Sequence, residues 1–576
     1  MKFNEDSRVK IPTIIHLIKL GYKYVSLKEN SWNNETNIFE KIFLESFSKI
    51  NPQVKESEAT QELKHLKNIL KNDDLGEEFF KRITQFEKYK IIDFDNINNN
   101  TFNVVTELTY KKDDDEFRPD ISLLINGLPL VFIEVKKPNN KEGLYSEKKR
   151  IFRRFTNRKF KNFFNITQLI IFTNNMNYEE DNANLLQGAF YACSSYEEPN
   201  FNFFREEENF DLNKILNQND EKFENEVLKD NNLISIKNSK EFITNKDPST
   251  ATNKICTSLL SKERLFFLLR YGFAYIKKSS GVEKHVIRYP QLFAAKAIKN
   301  KIDEGITKGI IWHTQGSGKT ALAYFTLKYL KDYFSKKNTI SKYYFIVDRI
   351  DLLKQATKEF RKRGLSVIII NSKAEFAKNI KSTKALHNDR GNDEIIIVNI
   401  QKFENDENVV SNNDYNLNIQ RVYFLDEVHR SYKPKGSFLT NLHLSDKRAI
   451  KIGLTGTPLI NKDIKTRDVF GDYIHRYFYN SSIKDGYTLR LIREEIENQY
   501  REKLQQTIKE IKVLKGNIPA EDLYSNKKFV EPMLDYIVKD YQNSQIAYND
   551  STIGAMVICD SYKQAEEMFN IFNQKY

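Results

Sequence analysis

The chain has 576 residues, room for three or four domains at about 150 residues each, and its 40% hydrophobic and 29% charged content is that of ordinary folded protein. No run of about 18 apolar residues offers a membrane span, MKFNEDSRVK lacks the apolar core of a signal peptide, and Cys193, Cys256 and Cys559 are too few and scattered for a disulfide framework or zinc site. These features argue against a membrane span and predict a soluble cytoplasmic protein; the formal charge of +13 predicts a polyanionic partner.

Residues 1–193 read as a first α/β block, opening with an apolar-periodic helix around IPTIIHLIKLGY. In RPDISLLINGLPLVFIEVKKP two apolar runs flank Asn126-Gly127, a strong hairpin signal. Side chains two apart on a strand share a face, so Glu134 and Lys136 point together, and the hairpin returns them toward Asp120. Two carboxylates beside an ammonium suit phosphodiester cleavage: Asp120 and Glu134 can hold Mg²⁺ while Lys136 steadies the attacking hydroxide or the developing charge. Glu5 and Glu107 are weaker candidates for a further acidic ligand. The stretch 136–161 then carries eleven Lys/Arg against two acids, a local +9, with Phe152, Phe155 and Phe160 interleaved. This predicts an amphipathic helix whose aromatics face inward and whose Arg153, Arg154 and Arg158 meet DNA phosphates.

Residues 194–264 are rich in Asn, Glu and Lys with little periodicity and read as a polar connection or insertion. Between 265 and 480 the apolar runs GIIWHT, KYYFIVD, EIIIVNI, RVYFLDE and AIKIGLTGT alternate with helical patterns, which predicts a doubly wound parallel sheet. Its first strand leads into HTQGSGKT. Gly316 and Gly318 let backbone N–H groups approach phosphate, with Thr314 and Ser317 in the same loop; Lys319 neutralises phosphate charge and Thr320 holds Mg²⁺. In this loop His313 stands where glycine is usual, most simply as a structural substitution. Asp426 and Glu427 end the strand RVYFL, 107 residues after Lys319. Asp426 suits the Mg²⁺ of ATP, and Glu427 suits orienting or deprotonating the attacking water. Residues 481–576 read as the start of another α/β lobe, with TIGAMVICDSYKQAEEMFNIF as one strand and helix.

Pro119-Asp120 with Glu134-Val135-Lys136 resembles the PD-(D/E)xK nuclease superfamily. HTQGSGKT, DEVH and GLTGTP resemble motifs I, II and III of superfamily 2 helicases and translocases, in order. That likeness implies RecA-like lobes, adenine reading by Gln291, and coupling between the ATP site and the nucleic-acid track by Thr455, Gly456 and Thr457, with His429 as a further coupling residue. WHTQGSGKT, DEVHRS, VDRIDLLKQ and NIQKF, together with RPD…IEVKKP, resemble the motor-endonuclease (R) subunit of type I restriction-modification enzymes. The resemblance implies an ATP- and Mg²⁺-dependent translocase fused to a nuclease acting on double-stranded DNA. It also implies methyltransferase and specificity subunits as partners, with S-adenosylmethionine used only by the methyltransferase. Two departures stand out. EKKRIFRRF lacks the family's Gln-x-x-x-Tyr element, and the sequence ends soon after the second lobe begins, which predicts an ATPase-deficient chain. The alternatives are a free-standing repair helicase–nuclease and a truncated, non-catalytic DNA- or partner-binding remnant.

Overall fold

A computed structural model describes residues 4–138, 143–178, 188–218, 220–279, 281–381, 392–399, 419–428, 446, 448–458, 467, 470–488, 495–516, 518–548 and 553–576. The chain divides into two compact units, Met1–Leu489 and Arg490–Tyr576. Among the described residues no helix is long and apolar enough to cross a membrane.

The first unit begins with helix α1 (Ile11–Lys19), whose Ile11, Ile14 and Leu17 recur at helical spacing and are fully buried. A seven-stranded mixed sheet follows, its spatial order that of the chain: β1 (Lys23–Tyr24), β2 (Phe102–Thr106), β3 (Ile121–Ile125), β4 (Leu128–Val135), β5 (Leu169–Thr173), β6 (Ala189–Ala192) and β7 (Asn202–Phe203). Strands β3 and β4 form the expected antiparallel hairpin, with Asn126 and Gly127 both at positive φ, +52° and +78°. Both faces of β4 are buried, which is why its sequence is nearly continuously apolar. Helix α2 (Gly143–Thr156) packs against the Phe132 face of the sheet through Leu144, Ile151 and Phe155.

Gly127 does more than permit the turn. A Cβ added there would lie 2.6 Å from Phe39 O and 2.8 Å from Phe43 N, both backbone atoms. Gly127→Ala is expected to destabilise the first unit by about 2–3 kcal/mol, from combined φ strain and backbone overlap. A thermal unfolding midpoint equal to that of the parent would show that the turn tolerates a side chain.

The stretch 194–264 is not a loose connection. It contains several short helices and α3 (Ala251–Leu260), and its sparse apolar residues, among them Val227, Leu228, Phe242, Ile255 and Leu259, are buried in the same core as Ile14 and Leu17. Few hydrophobic residues suffice because they are spaced to form a stripe, while Asn, Glu and Lys cover the outside. His16 Nε2 lies 2.8 Å from Thr257 Oγ1, and Tyr22 donates to Leu260 O at 2.8 Å, tying the N-terminal helix to α3. Helix α4 (Lys262–Tyr271) and the antiparallel hairpin β8 (Phe273–Lys278) and β9 (Gly281–Val286) continue this layer.

The second sheet is built from α5 (Tyr289–Asp303), β10 (Lys308–His313), α6 (Lys319–Ser335), β11 (Ile340–Val347), α7 (Ile350–Lys362), β12 (Ser366–Ile370), β13 (Glu394–Asn399), β14 (Ile419–Asp426), β15 (Ile450–Thr455) and β16 (Tyr473–Tyr477). Its strands lie in the order β12-β13-β11-β14-β15-β10-β16 and all neighbours pair parallel. This is the expected doubly wound sheet of a RecA-like lobe.

The first unit runs past the boundary read at residue 480. Asp485 is buried and accepts from Tyr477 at 2.8 Å, from the Tyr289 hydroxyl and from Arg205 at 2.8 Å, and Tyr487 donates to Phe203 O. The second unit holds α8 (Asn498–Lys515), α9 (Lys527–Tyr548) and α10 (Tyr562–Lys575) around Val530, Leu534 and Met568. The expected helix is present as α10, but the expected strand is not formed. Residues 553–559 pair with no other strand among the described residues, and Met556 and Ile558 are exposed. A lone segment has no ladder partner to satisfy its backbone.

Candidate active sites

At the end of the β3–β4 hairpin, Ile121 pairs with Ile133, so Asp120 stands across from Glu134. Val135 N–H donates to Asp120 Oδ2 at 2.8 Å, which fixes that carboxylate. Lys136 Nζ donates to Val135 O at 2.8 Å and lies 3.3 Å from Glu134 Oε1 and 4.0 Å from Asp120 Oδ2. The structure therefore brings Asp120, Glu134 and Lys136 together. Burial, then the Asp120 charge, push the Glu134 carboxyl up to about 7; burial likewise raises that of Asp120.

Three further residues complete this cluster. Glu147, on α2, is buried 3.4 Å from Lys136 Nζ, and Arg150 bridges Glu147 and Glu134, reaching Glu134 Oε1 at 2.6 Å. Arg154, expected on the DNA face, is instead half-buried. Its guanidinium stacks 3.9 Å over the Phe117 ring, 3.8 Å from Glu147 Oε1. The helical period turns position 154 inward, while Arg153 and Arg158 are exposed as expected. Glu5 is near enough to Lys136 and Asp120 to feel both charges. Glu107 is paired with Lys10 at 2.7 Å and Arg118 at 3.4 Å, so it serves as an ion-pair partner.

Among the described residues no three His, Cys, Asp or Glu side chains converge as a metal cage. Two carboxylates still fit Mg²⁺, which usually takes one or two protein carboxylates and completes its shell with water and phosphate. One observation favours such a cation here: Glu134 Oε2 is buried with no hydrogen-bond partner, although Oε1 has two.

The second site lies where β10 meets α6. Gly316 and Gly318 have φ of +76° and +82°, and a Cβ on Gly318 would fall 2.5 Å from Gln291 Nε2. The loop thus needs its glycines for backbone shape and for close approach. Thr314 N–H donates to Tyr477 O at 2.9 Å, and Ser317 Oγ is buried without a hydrogen-bond partner, an atom suited to phosphate. Lys319 and Thr320 open α6 beneath the loop. Asp426 ends β14, two strands from β10, and burial pushes its carboxyl up to about 6, opposed by the Lys319 ammonium. Lys319 Nζ lies 3.8 Å from Glu427 Oε1, so Lys319, Asp426 and Glu427 form one electrostatic cluster. Glu427 has φ +49°, a left-handed conformation that costs a non-glycine residue about 1–3 kcal/mol and is typical of functional sites.

Thr455 ends β15, accepting from Thr457 N–H at 3.1 Å, and Gly456 O accepts from Trp312 Nε1 at 3.1 Å. A Cβ on Gly456 would lie 3.2 Å from Gln315 N and 3.3 Å from His313 O, so GLTGTP abuts the phosphate loop directly. Gln291, the residue expected to read adenine, braces the loop. It donates to Ser317 O at 3.2 Å and Gly318 O at 3.1 Å, and accepts from Arg288 N–H at 3.1 Å. His429 lies outside the described residues. His313 is fully buried, its imidazole pKa pushed well below the usual range by burial and then by His475, and its Nε2 lies 2.8 Å from His475 Nδ1, whose Nε2 is 2.6 Å from Glu207 Oε2. This agrees with a structural role for His313 and joins the loop's strand to the segment leaving β7.

Comparison with known proteins matches residues 2–179 to the model of the type I restriction enzyme R protein N terminus and residues 290–521 to that of the SWI2/SNF2 ATPase. A protein of Methanocaldococcus jannaschii named for the endonuclease subunit of the type I restriction enzyme MjaVIIIP is 26% identical over 480 residues, covering 77% of this chain and 40% of that protein. The type I restriction enzyme SsaAORF53P endonuclease subunit of Staphylococcus saprophyticus is 27% identical over 401 residues, covering 68% of this chain and 35% of its own length. The chain thus spans less than half the length of these relatives. Among solved structures, the ATP-dependent Type ISP restriction-modification enzyme LlaBIII bound to DNA aligns with 50% of this chain and 22% of its own, at 15% identity and a TM-score of 0.32.

Proposed function

Since the chain belongs to the type I restriction enzyme R subunits, with a helicase-like ATPase domain following the nuclease block, we propose that it cleaves unmodified double-stranded DNA in a Mg²⁺-dependent step coupled to ATP-driven translocation. The observation that carries this reading is the pairing, in one compact unit, of the Asp120–Glu134–Lys136 cluster with the Lys319–Asp426–Glu427 cluster. Each cluster supplies a different phosphate chemistry.

In the first, Asp120 and Glu134 would hold the metal, which would supply a polarised phosphate and an activated water. Lys136, anchored by Val135 O, places its ammonium beside both carboxylates, where the attacking oxygen and the developing charge fall. Arg153 and Arg158, exposed at and beyond the end of α2, meet the duplex backbone. In the second, the loop N–H groups and Lys319 would bind the triphosphate, Thr320 and Asp426 would hold its Mg²⁺, and Glu427 would orient water. Gly456, against the loop backbone at Gln315 and His313, would relay the nucleotide's state toward the track.

The partners that fit this reading are a methyltransferase and a specificity subunit, with S-adenosylmethionine used by the former, in the cytoplasm. The test is reconstitution, with those subunits and unmethylated or methylated duplex, of the chain carried through the full length of its relatives. Cleavage of the unmethylated duplex alone, requiring both Mg²⁺ and ATP, is the expected result. Equal cleavage without ATP, or without the partner subunits, would favour a free-standing nuclease.

A further inference from the structure

The guanidinium of Arg150 sits at the most negative point of the nuclease cluster. Its Nη2 reaches Glu134 Oε1 at 2.6 Å and also contacts Glu147, and its Nε donates to Glu147 Oε1 at 3.0 Å. Both acids are nearly fully buried, whereas the Arg150 side chain is 48% exposed. The other two cations are held differently. Lys136 is 17% exposed and fixed to Val135 O, and Arg154 is 22% exposed and stacked on Phe117. Arg150 is therefore the cation that can leave without uncovering a core.

We propose that Arg150 is an exchangeable counter-cation: a divalent metal entering between Asp120 and Glu134 displaces its guanidinium from Glu134, and the released guanidinium takes a phosphate of the bound duplex. The inference rests on the reading of Asp120 and Glu134 as the metal pair. Glu134 Oε1 already accepts from Lys136 and Arg150, and a third cation at hydrogen-bonding distance would face strong repulsion in this buried setting. Lys136 cannot swing away as readily, so the more exposed group yields.

After the exchange Glu147 keeps two compensating charges, Lys136 at 3.4 Å and Arg154 at 3.8 Å, so no buried acid is stranded. The planar guanidinium fork pairs with phosphate as well as with carboxylate, and a change of rotamer suffices to move it. It projects from the same helix as the exposed Arg153. Metal and DNA then reinforce each other: metal frees the phosphate ligand, and DNA holds that ligand away from the metal site. Such coupling is reciprocal by thermodynamic necessity.

The experiment uses the whole chain at pH 8 without nucleotide. Mn²⁺ binding is followed by the electron paramagnetic resonance of the free ion, and the nuclease site is assigned as the binding lost in Glu134→Ala. Arg150→Gln, which keeps a polar head without charge, is expected to bind Mn²⁺ about tenfold tighter than the parent when DNA is absent. Its duplex affinity should equal the parent's in EDTA and fall about tenfold below it in Ca²⁺. Arg150→Lys, retaining the charge, should stay near the parent in Mn²⁺ affinity, and circular dichroism checks that each variant is folded. Unchanged or weaker Mn²⁺ binding by folded Arg150→Gln would overturn the exchange. So would an equal loss of duplex affinity in EDTA and in Ca²⁺. If Glu134→Ala itself removes no Mn²⁺ site, the metal-pair reading fails first, and the exchange falls with it.

Discussion

Glu134→Ala, introduced into the assembled enzyme with its R chain carried through the full length of the relatives, lowers duplex cleavage by at least about 10³-fold while ATP hydrolysis stays within about twofold of the parent. The magnitude follows because a metal ion contributes several kcal/mol of charge stabilisation at the phosphate, and about 1.4 kcal/mol is a factor of ten in rate. Glu134 is the residue to remove because its buried Oε2 has no protein partner and suits a cation, while Lys136 and Arg150, which its Oε1 gives up, both keep Glu147; Asp120 is also bonded to the Val135 amide. The substitution leaves Lys136 with Glu147 at 3.4 Å, so the buried ammonium keeps a counter-charge and the fold survives. The measurements are nicking and linearisation of a supercoiled plasmid, with ATPase in the same samples. Persisting cleavage by a folded variant would place the nuclease elsewhere.

Lys319→Ala weakens binding of ATP–Mg²⁺ by about 10–100-fold, the range for a charge-assisted hydrogen bond to phosphate worth about 1.5–3 kcal/mol. Glu427→Gln separates binding from chemistry. It removes the acid 3.8 Å from Lys319 Nζ, so nucleotide affinity holds or rises while turnover, where it is measurable, drops. A fluorescent ATP analogue titrated with and without Mg²⁺ reads the affinities directly. Equal affinity in the parent and Lys319→Ala would mean that this loop does not hold the triphosphate.

The nuclease hairpin was legible because its signals are local. Asn126-Gly127 sets the turn, and strand alternation then dictates that Glu134 and Lys136 share a face. The phosphate loop was legible for the same reason, since its glycines answer to φ and close approach. Glu147 and Arg150 were not read, although Glu147 left a trace: positions 144, 147, 151 and 155 form the buried stripe of α2, so an acid stands on the apolar face. Such a charge needs partners, and which ones it finds is a matter of tertiary approach. Arg154 was misplaced because a charge count over 136–161 ignores helical phase. The 194–264 stretch misled by composition, which records how much of a segment is polar and not whether its few apolar residues align.

The burial of Ile14 and Leu17 in one core with Ile255 and Leu259 bears on how the block holding Asp120, Glu134 and Lys136 could be exchanged as a heritable part. A segment ending at residue 193 would carry the whole hairpin and α2, yet leave behind the helices that cover α1. The transferable piece extends through α3 and into α4, whose Arg264 is paired with Glu206 and Glu208. Recombination that exchanged nuclease blocks between such chains would therefore have to join them beyond residue 271, close to where α5 opens the motor sheet. The exchangeable block is thus set by what covers α1, and the polar stretch 194–264 travels with it.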